Sequence, residues 1–506
     1  MSQPELDRAK AELLLEPGLY KDSLFVSDAC LLAMLRTVEG RRLLVVGPAD
    51  NASCGAFEGD SAGAGRHAWR SCPLTHTNAV LLRRLLPWSA PQPVARHKTT
   101  MGFGDRLGRA TPGHLRAIRR FDVAPVLAQQ SVRELSLTGR TFESVIDDVS
   151  FLVFQCGYTA GFGADGDHLK TLDQVSAALD AGVTMITLDL SGVVRADLAE
   201  LPPAEIAAEF AGLPRSLQAA MLARYAGQSF PLRRAGHIPE TVTISPAEAR
   251  RCTVLYSAAL DFAVEVHKLL VARRGSGQCD FEISLDETTT PTVPAHHLFF
   301  ARELQRRRVS VTSLAPRFAG AFEKGIDYVG DVSEFTRQLR THFLIARASG
   351  DYKLSIHSGS DKFAIFPIVG KLTDCRFHLK TAGTSWLEAV RLAARRAPDL
   401  FRQIQRVAIE RLPEALKLYH ISADPARIPP LESLADADLP ALLEQDAARQ
   451  VLHVAYGFVL ESSDMRARLF ELLDRCEDEY ESLLESHFAH HLETLGVPPR
   501  KGMRGP

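Results

Sequence analysis

DFEISLDE, residues 280–287, has the pattern of a β-strand with two unlike faces. Side chains alternate along an extended chain, so Phe281, Ile283 and Leu285 share one face while Glu282, Ser284 and Asp286 share the other. Two later runs repeat the pattern. YKLSIHS (352–358) sets Ser355 with His357, and RFHLKTAG (376–383) sets His378 with Lys380. Working outward, further strand-like runs are MGFGDRLG (101–108), APVLAQQS (124–131), VTMITLDL (183–190) and VSVTSLAP (309–316). GFGADGD (161–167) fills the place of a further strand, although its glycines favour a loop. Helical periodicity lies between the runs, at 171–181, 295–308, 334–348 and 385–397. Eight β/α units predict an α/β fold, a TIM-like (β/α)8 barrel ringed by helices.

That barrel is expected over 99–397. Between its fourth and fifth strands stands a long, mostly helical stretch, about 191–278, with helices at 201–226 and 247–274. An insertion after the fourth strand is expected to sit over the catalytic face. Residues 1–98 read as an accessory N-terminal region with a helical opening and a glycine- and serine-rich patch at 51–65. Residues 398–506 read as a helical C-terminal region containing a proline-punctuated link at 421–440.

Composition removes whole classes of function. The chain has 506 residues, and 59 Lys and Arg against 61 Asp and Glu leave a net charge of −2, which gives no basic footprint for nucleic acid. No apolar stretch is long enough to span a membrane, and the N-terminus lacks the apolar core of a signal peptide. The cysteines are scattered, without a C-x-x-C pair. A reduced, cytoplasmic protein acting on a small molecule is expected, and a homo-oligomer is compatible with it.

Active sites of such barrels form at the carboxyl ends of the strands. There the sequence places Asp105 and Arg106, Gln129 and Gln130, Asp167 and His168, Asp189, Asp286 and Glu287, Arg317, His357, and His378 with Lys380. Buried charge is costly unless paired or bound to metal, so converging histidines and carboxylates predict one divalent cation: Mn, Ni, Co, Zn or Fe. The expected ligands are His168, His357 and His378, with Glu282 nearby. Gly161-Phe-Gly-Ala-Asp-Gly166 matches the dinucleotide fingerprint, but Asp167 would compete with a pyrophosphate for the helix end, and a cofactor there is not expected. His487 and His491, at i and i+4 in the terminal helix, have the spacing to clip a metal but read as a solvated face; His296 and His297 open a helix from which one could face the site, but they read as structural.

Longer blocks carry a family resemblance. MGFGDRLGRATPGH (101–114), DGDHLKT (165–171), FEISLDETTTPT (281–292), SLAPRFAGAFEKGIDY (313–328), YKLSIHSGSDKF (352–363), FHLKTAGTS (377–385) and QDAARQVLHVAYG (445–457) resemble the tagaturonate epimerases. These metal-dependent enzymes of hexuronate catabolism interconvert D-tagaturonate and D-fructuronate. The resemblance runs from about residue 100 to 460. It implies that Asp167 is the proton acceptor, Glu282 the donor, and His168 and His357 metal ligands; Asp286 is the rival carboxylate to Glu282. Some members act on the uncharged ketoses fructose and tagatose. A sugar isomerase or aldolase on the same barrel is the neighbouring alternative, and a sugar-binding regulatory protein the non-enzymatic one. For a substrate carboxylate, Arg106, Arg317 and Lys362 are the expected contacts, with Arg317 favoured, and Lys380 is a further expected substrate contact.

Overall fold

Eight parallel strands close into a barrel in the computed structural model, which describes residues 3–48, 50–62, 67–286 and 290–500. They are β1 (Thr100–Phe103), β2 (Ala124–Ser131), β3 (Gly163–Leu169), β4 (Met185–Asp189), β5 (Asp280–Leu285), β6 (Ser313–Pro316), β7 (Lys353–Ile356) and β8 (Phe377–Thr381). The strands neighbour one another in chain order, and β8 closes on β1 with Leu379 opposite Met101. Phe281, Ile283 and Leu285 face outward into the apolar layer under the helices, which leaves Glu282 and Ser284 to line the interior.

The glycine-rich run does form a strand. A Cβ on Gly166 would come within 3.0–3.2 Å of Leu169, Ala178 and Ile186, so glycine lets β3 approach the following helix, Leu172–Ala181. The pairing of β3 with β4 then slips between Gly166 and Leu169, and His168 takes a left-handed φ of 57°. Strict alternation would turn Asp167 and His168 to opposite faces. The irregularity brings both to the same end of the barrel, and strained backbone of this kind gathers at functional sites.

The insertion departs from its expected place. Its long helix, Pro246–Arg274, packs beside Leu172–Ala181 and Pro294–Arg306 and so fills a position in the outer ring. Buried Cys252, Leu255, Ala259, Ala263, Val266 and Leu270 form the stripe that holds it there. A hairpin, Gln228–Leu232 with Glu240–Ile244, was not foreseen between the helices. It lies against Pro294–Arg306 and Val332–Ala348, and Arg234 and His237 reach Asp374, which precedes β8. The insertion therefore clads the flank and the amino-terminal side of the barrel, not its catalytic face.

The N-terminal region begins with the expected helix, Gln3–Leu13, but continues as a five-stranded antiparallel sheet. One face, with Cys30, Leu32, Met34 and Val45, packs on Phe151 and Phe154 of the helix Phe142–Gln155. Residues 63–65 of the glycine-rich patch lie outside the described residues. Cys30 and Cys54 form a disulfide, which corrects the expectation of uniformly reduced cysteines. Their sulfurs meet because the sheet and the short helix Ala52–Gly55 fold the chain back on itself. No helix among the described residues is long and apolar enough to cross a membrane.

The terminal helix, Glu477–Thr494, packs against Thr111–Ile118 and Thr384–Arg396. Its histidines are not on a solvated face: the His491 side chain is fully buried and that of His487 is 12% exposed. Helical spacing puts His487 and His491 on the same stripe as buried Tyr480, Leu484 and Phe488, so they belong to the packed face of the helix.

Candidate active site

β3, β5, β7 and β8 deliver the polar centre. Lys380 of β8 points inward and its Nζ donates to Asp165 at 2.8 Å, to Asp167 at 2.6 Å and to Thr187, with Glu282 at 3.1 Å. His357, just beyond β7, donates from Nε2 to Glu282 at 2.7 Å. Its Nδ1 lies 3.0 Å from Oδ2 of Asp286 without the alignment of a hydrogen bond. His168 donates from Nδ1 to Asp167 at 2.7 Å, and its ring centre is 4.9 Å from that of His357. Ser313 of β6 donates to Glu282 at 2.5 Å.

Burial works against every charge in this group, and the partners outweigh it. Lys380 and His168 hold Asp167 well below the usual carboxylate range, Lys380 and His357 do the same for Glu282, and His357 takes Asp286 down to about 2. In return the carboxylates push His168 upward and carry His357 to about 10. Asp165 alone goes the other way, raised by burial to about 6. Among the described residues, four buried carboxylates thus face one ammonium, and two imidazoles supply the remaining positive charge. A divalent cation would supply the same charge in their place.

The donor set fits such an ion. His168, His357 and Asp286 bring ligand atoms within 4.8 Å of one another. Each histidine gives its other nitrogen to a carboxylate, His168 to Asp167 and His357 to Glu282, the arrangement that orients metal-binding imidazoles. His378, expected as the third ligand, stands one layer deeper, level with Ser355 and Thr100. Its Nδ1 is 2.9 Å from the Thr100 hydroxyl, its Nε2 is buried without a hydrogen-bond partner, and burial lowers it to about 3.

Asp167, His168, Asp286, His357 and Lys380 line a cleft that also touches Gln129, Arg133, Lys324, Ser358 and Tyr419. Glu282 does not; it is wholly buried beneath His357 and Lys380. The cleft adjoins a cavity of about 470 Å3 walled by Arg133, Arg317, Lys324, Phe318, Phe322 and the Leu418–Tyr419–His420 segment. The C-terminal region, not the insertion, therefore overhangs the centre. Arg133 fixes it by donating to the Leu418 carbonyl at 2.6 Å and lying 4.5 Å over the Tyr419 ring. Glu287 lies outside the described residues.

The four expected substrate contacts separate. Arg317 borders the larger cavity and Lys380 the cleft. Lys362 is enclosed, its Nζ donating to the carbonyls of Glu323, Ile326 and Ser360. Arg106 is buried against Glu134, at 2.9 and 2.8 Å from Oε1, and lies 3.7 Å over the ring of Tyr456. Both therefore serve the fold around the site. Glu134→Ala would leave that guanidinium buried without its counter-charge, and a loss of about 3–5 kcal/mol is expected in urea unfolding. A loss near that of an exposed pair, below about 1 kcal/mol, would show that the pair contributes little. Arg133, Lys324 and Asp165 are site residues the sequence reading missed. Asp165 shares strand parity with Asp167 and could have been found; Arg133 opens the short helix Val132–Thr138 after β2, and Lys324 sits in the connection after β6, where no periodic signal marks it.

A family model described as tagaturonate epimerase matches residues 20–495. The tagaturonate/fructuronate epimerase of Thermotoga maritima is 37% identical over 477 residues, covering 94% of this chain and 96% of its own. The native crystal structure of the fructuronate-tagaturonate epimerase UxaE from Cohnella laeviribosi aligns with a TM-score of 0.90 at 38% identity, covering 98% of this chain and 100% of that one. A structure of the same protein with one glycerol bound gives 0.90 again, over 98% and 99%.

Proposed function

The chain belongs to the tagaturonate epimerase family, and from that premise we propose that it interconverts tagaturonate and fructuronate by inverting one carbinol at a divalent-metal centre held by His168, His357 and Asp286. The observation that carries this reading is the convergence of those three ligand groups beside Asp167 at the floor of one cleft.

The two hexulosonates differ at carbon 4, counted from the hydroxymethyl end of the ketose. That carbon is β to the ketone, so its hydrogen is not acidified and simple deprotonation would be slow. Reversible aldol cleavage avoids the difficulty. Asp167, kept ionised by Lys380 and His168, takes the proton of the carbon-4 hydroxyl. The bond between carbons 3 and 4 breaks, its electron pair passes to carbon 3 as an enediolate, and carbon 4 becomes an aldehyde. The aldehyde turns, the bond re-forms on its other face, and the proton returns. A bound divalent ion supplies Lewis acidity toward the oxygens of the ketose. Glu282 holds the ring of His357 in place from below. Tagaturonate deuterated at carbon 4 is therefore expected to give fructuronate that keeps its deuterium; wash-out into water would point to direct deprotonation.

The substrate carboxylate is assigned to the cationic wall formed by Arg317, Arg133 and Lys324, with Arg317 as its planar, bidentate member. Arg317→Met is expected to raise KM for tagaturonate strongly and to leave a weak reaction with tagatose nearly unchanged. Equal losses on both sugars would make Arg317 a general structural residue and would leave the uncharged ketoses as the better substrate class.

A further inference from the structure

We propose that Asp361, His487 and His491 form a second divalent-cation site, of the kind that takes Zn2+, and that it pins the terminal helix to the loop after β7. This site is separate from the centre described above and does not depend on the epimerase reading.

Oδ1 of Asp361 lies 3.4 Å from Nε2 of His487 and 3.4 Å from Nε2 of His491. For metal–ligand bonds of about 2.0–2.1 Å, the edge of a coordination tetrahedron is about 3.4 Å. The first of these contacts is not a hydrogen bond: Asp361 Oδ1 and His487 Nε2 are both buried polar atoms without a hydrogen-bond partner. The three ligand atoms lie within 4.8 Å of one another, which leaves space for a small ion between them.

What stands behind each group strengthens the case. Ligating imidazoles characteristically give their remaining N–H to a carbonyl or carboxylate, and ligating carboxylates are themselves hydrogen-bonded. His491 gives Nδ1–H to the His487 carbonyl at 2.8 Å, so its Nε2 carries the lone pair that faces the cluster. His487 has Glu388 at 3.7 Å from its Nδ1. Asp361 accepts from Arg449 at 2.8 Å through its other oxygen, Oδ2. The Asp361 N–H rests on His491 Nε2 at 3.1 Å and is the one contact that must yield when an ion binds. Asp361 itself is held at a left-handed φ of 59°. These groups come from the loop after β7, from the helix Thr384–Arg396, from Asp446–Val454 and from Glu477–Thr494, so an ion here would cross-link the C-terminal region to the barrel.

The test uses full-length protein saturated with Zn2+, freed of excess metal and assayed by elemental analysis alongside thermal unfolding. A His168→Ala/His357→Ala chain is expected to retain about one equivalent of zinc and to unfold at a lower temperature after chelation. Adding His487→Gln, which keeps the bulk of the side chain, should remove that equivalent and the chelator sensitivity. Should the combined variant fold poorly, His487→Gln in the wild-type background should still hold about one equivalent less than wild type. Co2+ substitution gives a second readout, a tetrahedral absorption band that survives in the His168→Ala/His357→Ala chain. Zinc content unchanged by His487→Gln, or a folded His168→Ala/His357→Ala chain that holds no zinc, would overturn the proposal.

Discussion

Asp167→Asn is expected to lower turnover by about 10²–10⁴-fold at saturating metal, the contribution of one positioned base. The substitution is nearly isosteric and keeps an oxygen that can accept from His168, so the fold and the orientation of that ring should survive. What it removes is the ability to take a proton. Asp167 is the carboxylate suited to this task by position, since it borders the cleft while Glu282 is sealed beneath His357. It also accepts from both Lys380 and His168, which fixes its plane. Metal affinity should fall by no more than about 10–100-fold, the usual effect of a group that supports a ligand. Single-turnover rates measured across a metal titration separate the two losses. A rate within about tenfold of wild type at saturating metal would place the base elsewhere.

Much of the barrel was legible because its strands carry a polar interior face against an apolar exterior one, as in DFEISLDE and YKLSIHS. Parity gives the face of a residue but not its depth. His378 and Lys380 share a face, yet β8 pairs His378 with Ser355 and Thr100, one layer below His357. That depth depends on the stagger between strands, which alternation does not encode, and it is why Asp286 and not His378 stands beside His168 and His357. His168 escaped parity in the opposite sense, because the slip at β3 turns it toward the centre. The N-terminal sheet was missed for a different reason. Its strands Cys30–Thr37 and Gly40–Pro48 are largely continuous apolar runs, which periodicity cannot tell from buried helix. The family match begins at residue 20, so it includes this sheet, which the recognised motifs did not reach. The insertion was read as helical, but where a helix docks depends on which neighbour offers a matching apolar stripe.

Metal removal is the second large expected effect. Without a divalent ion, His168 and His357 can meet the charge of Asp167, Glu282 and Asp286 only by staying protonated, and burial with those carboxylates favours that state. A protonated pair leaves no lone pair to ligate and no Lewis acid toward the ketose, so on the proposed mechanism the cleavage between carbons 3 and 4 would lose its main source of charge stabilisation. The protein is stripped with a chelator, shown by elemental analysis to be metal-free, and incubated with tagaturonate before and after reloading with Mn, Ni, Co or Zn, with fructuronate followed by chromatography. The predicted result is no conversion by the stripped protein and recovered conversion on reloading; full turnover by protein shown to be metal-free would contradict the account.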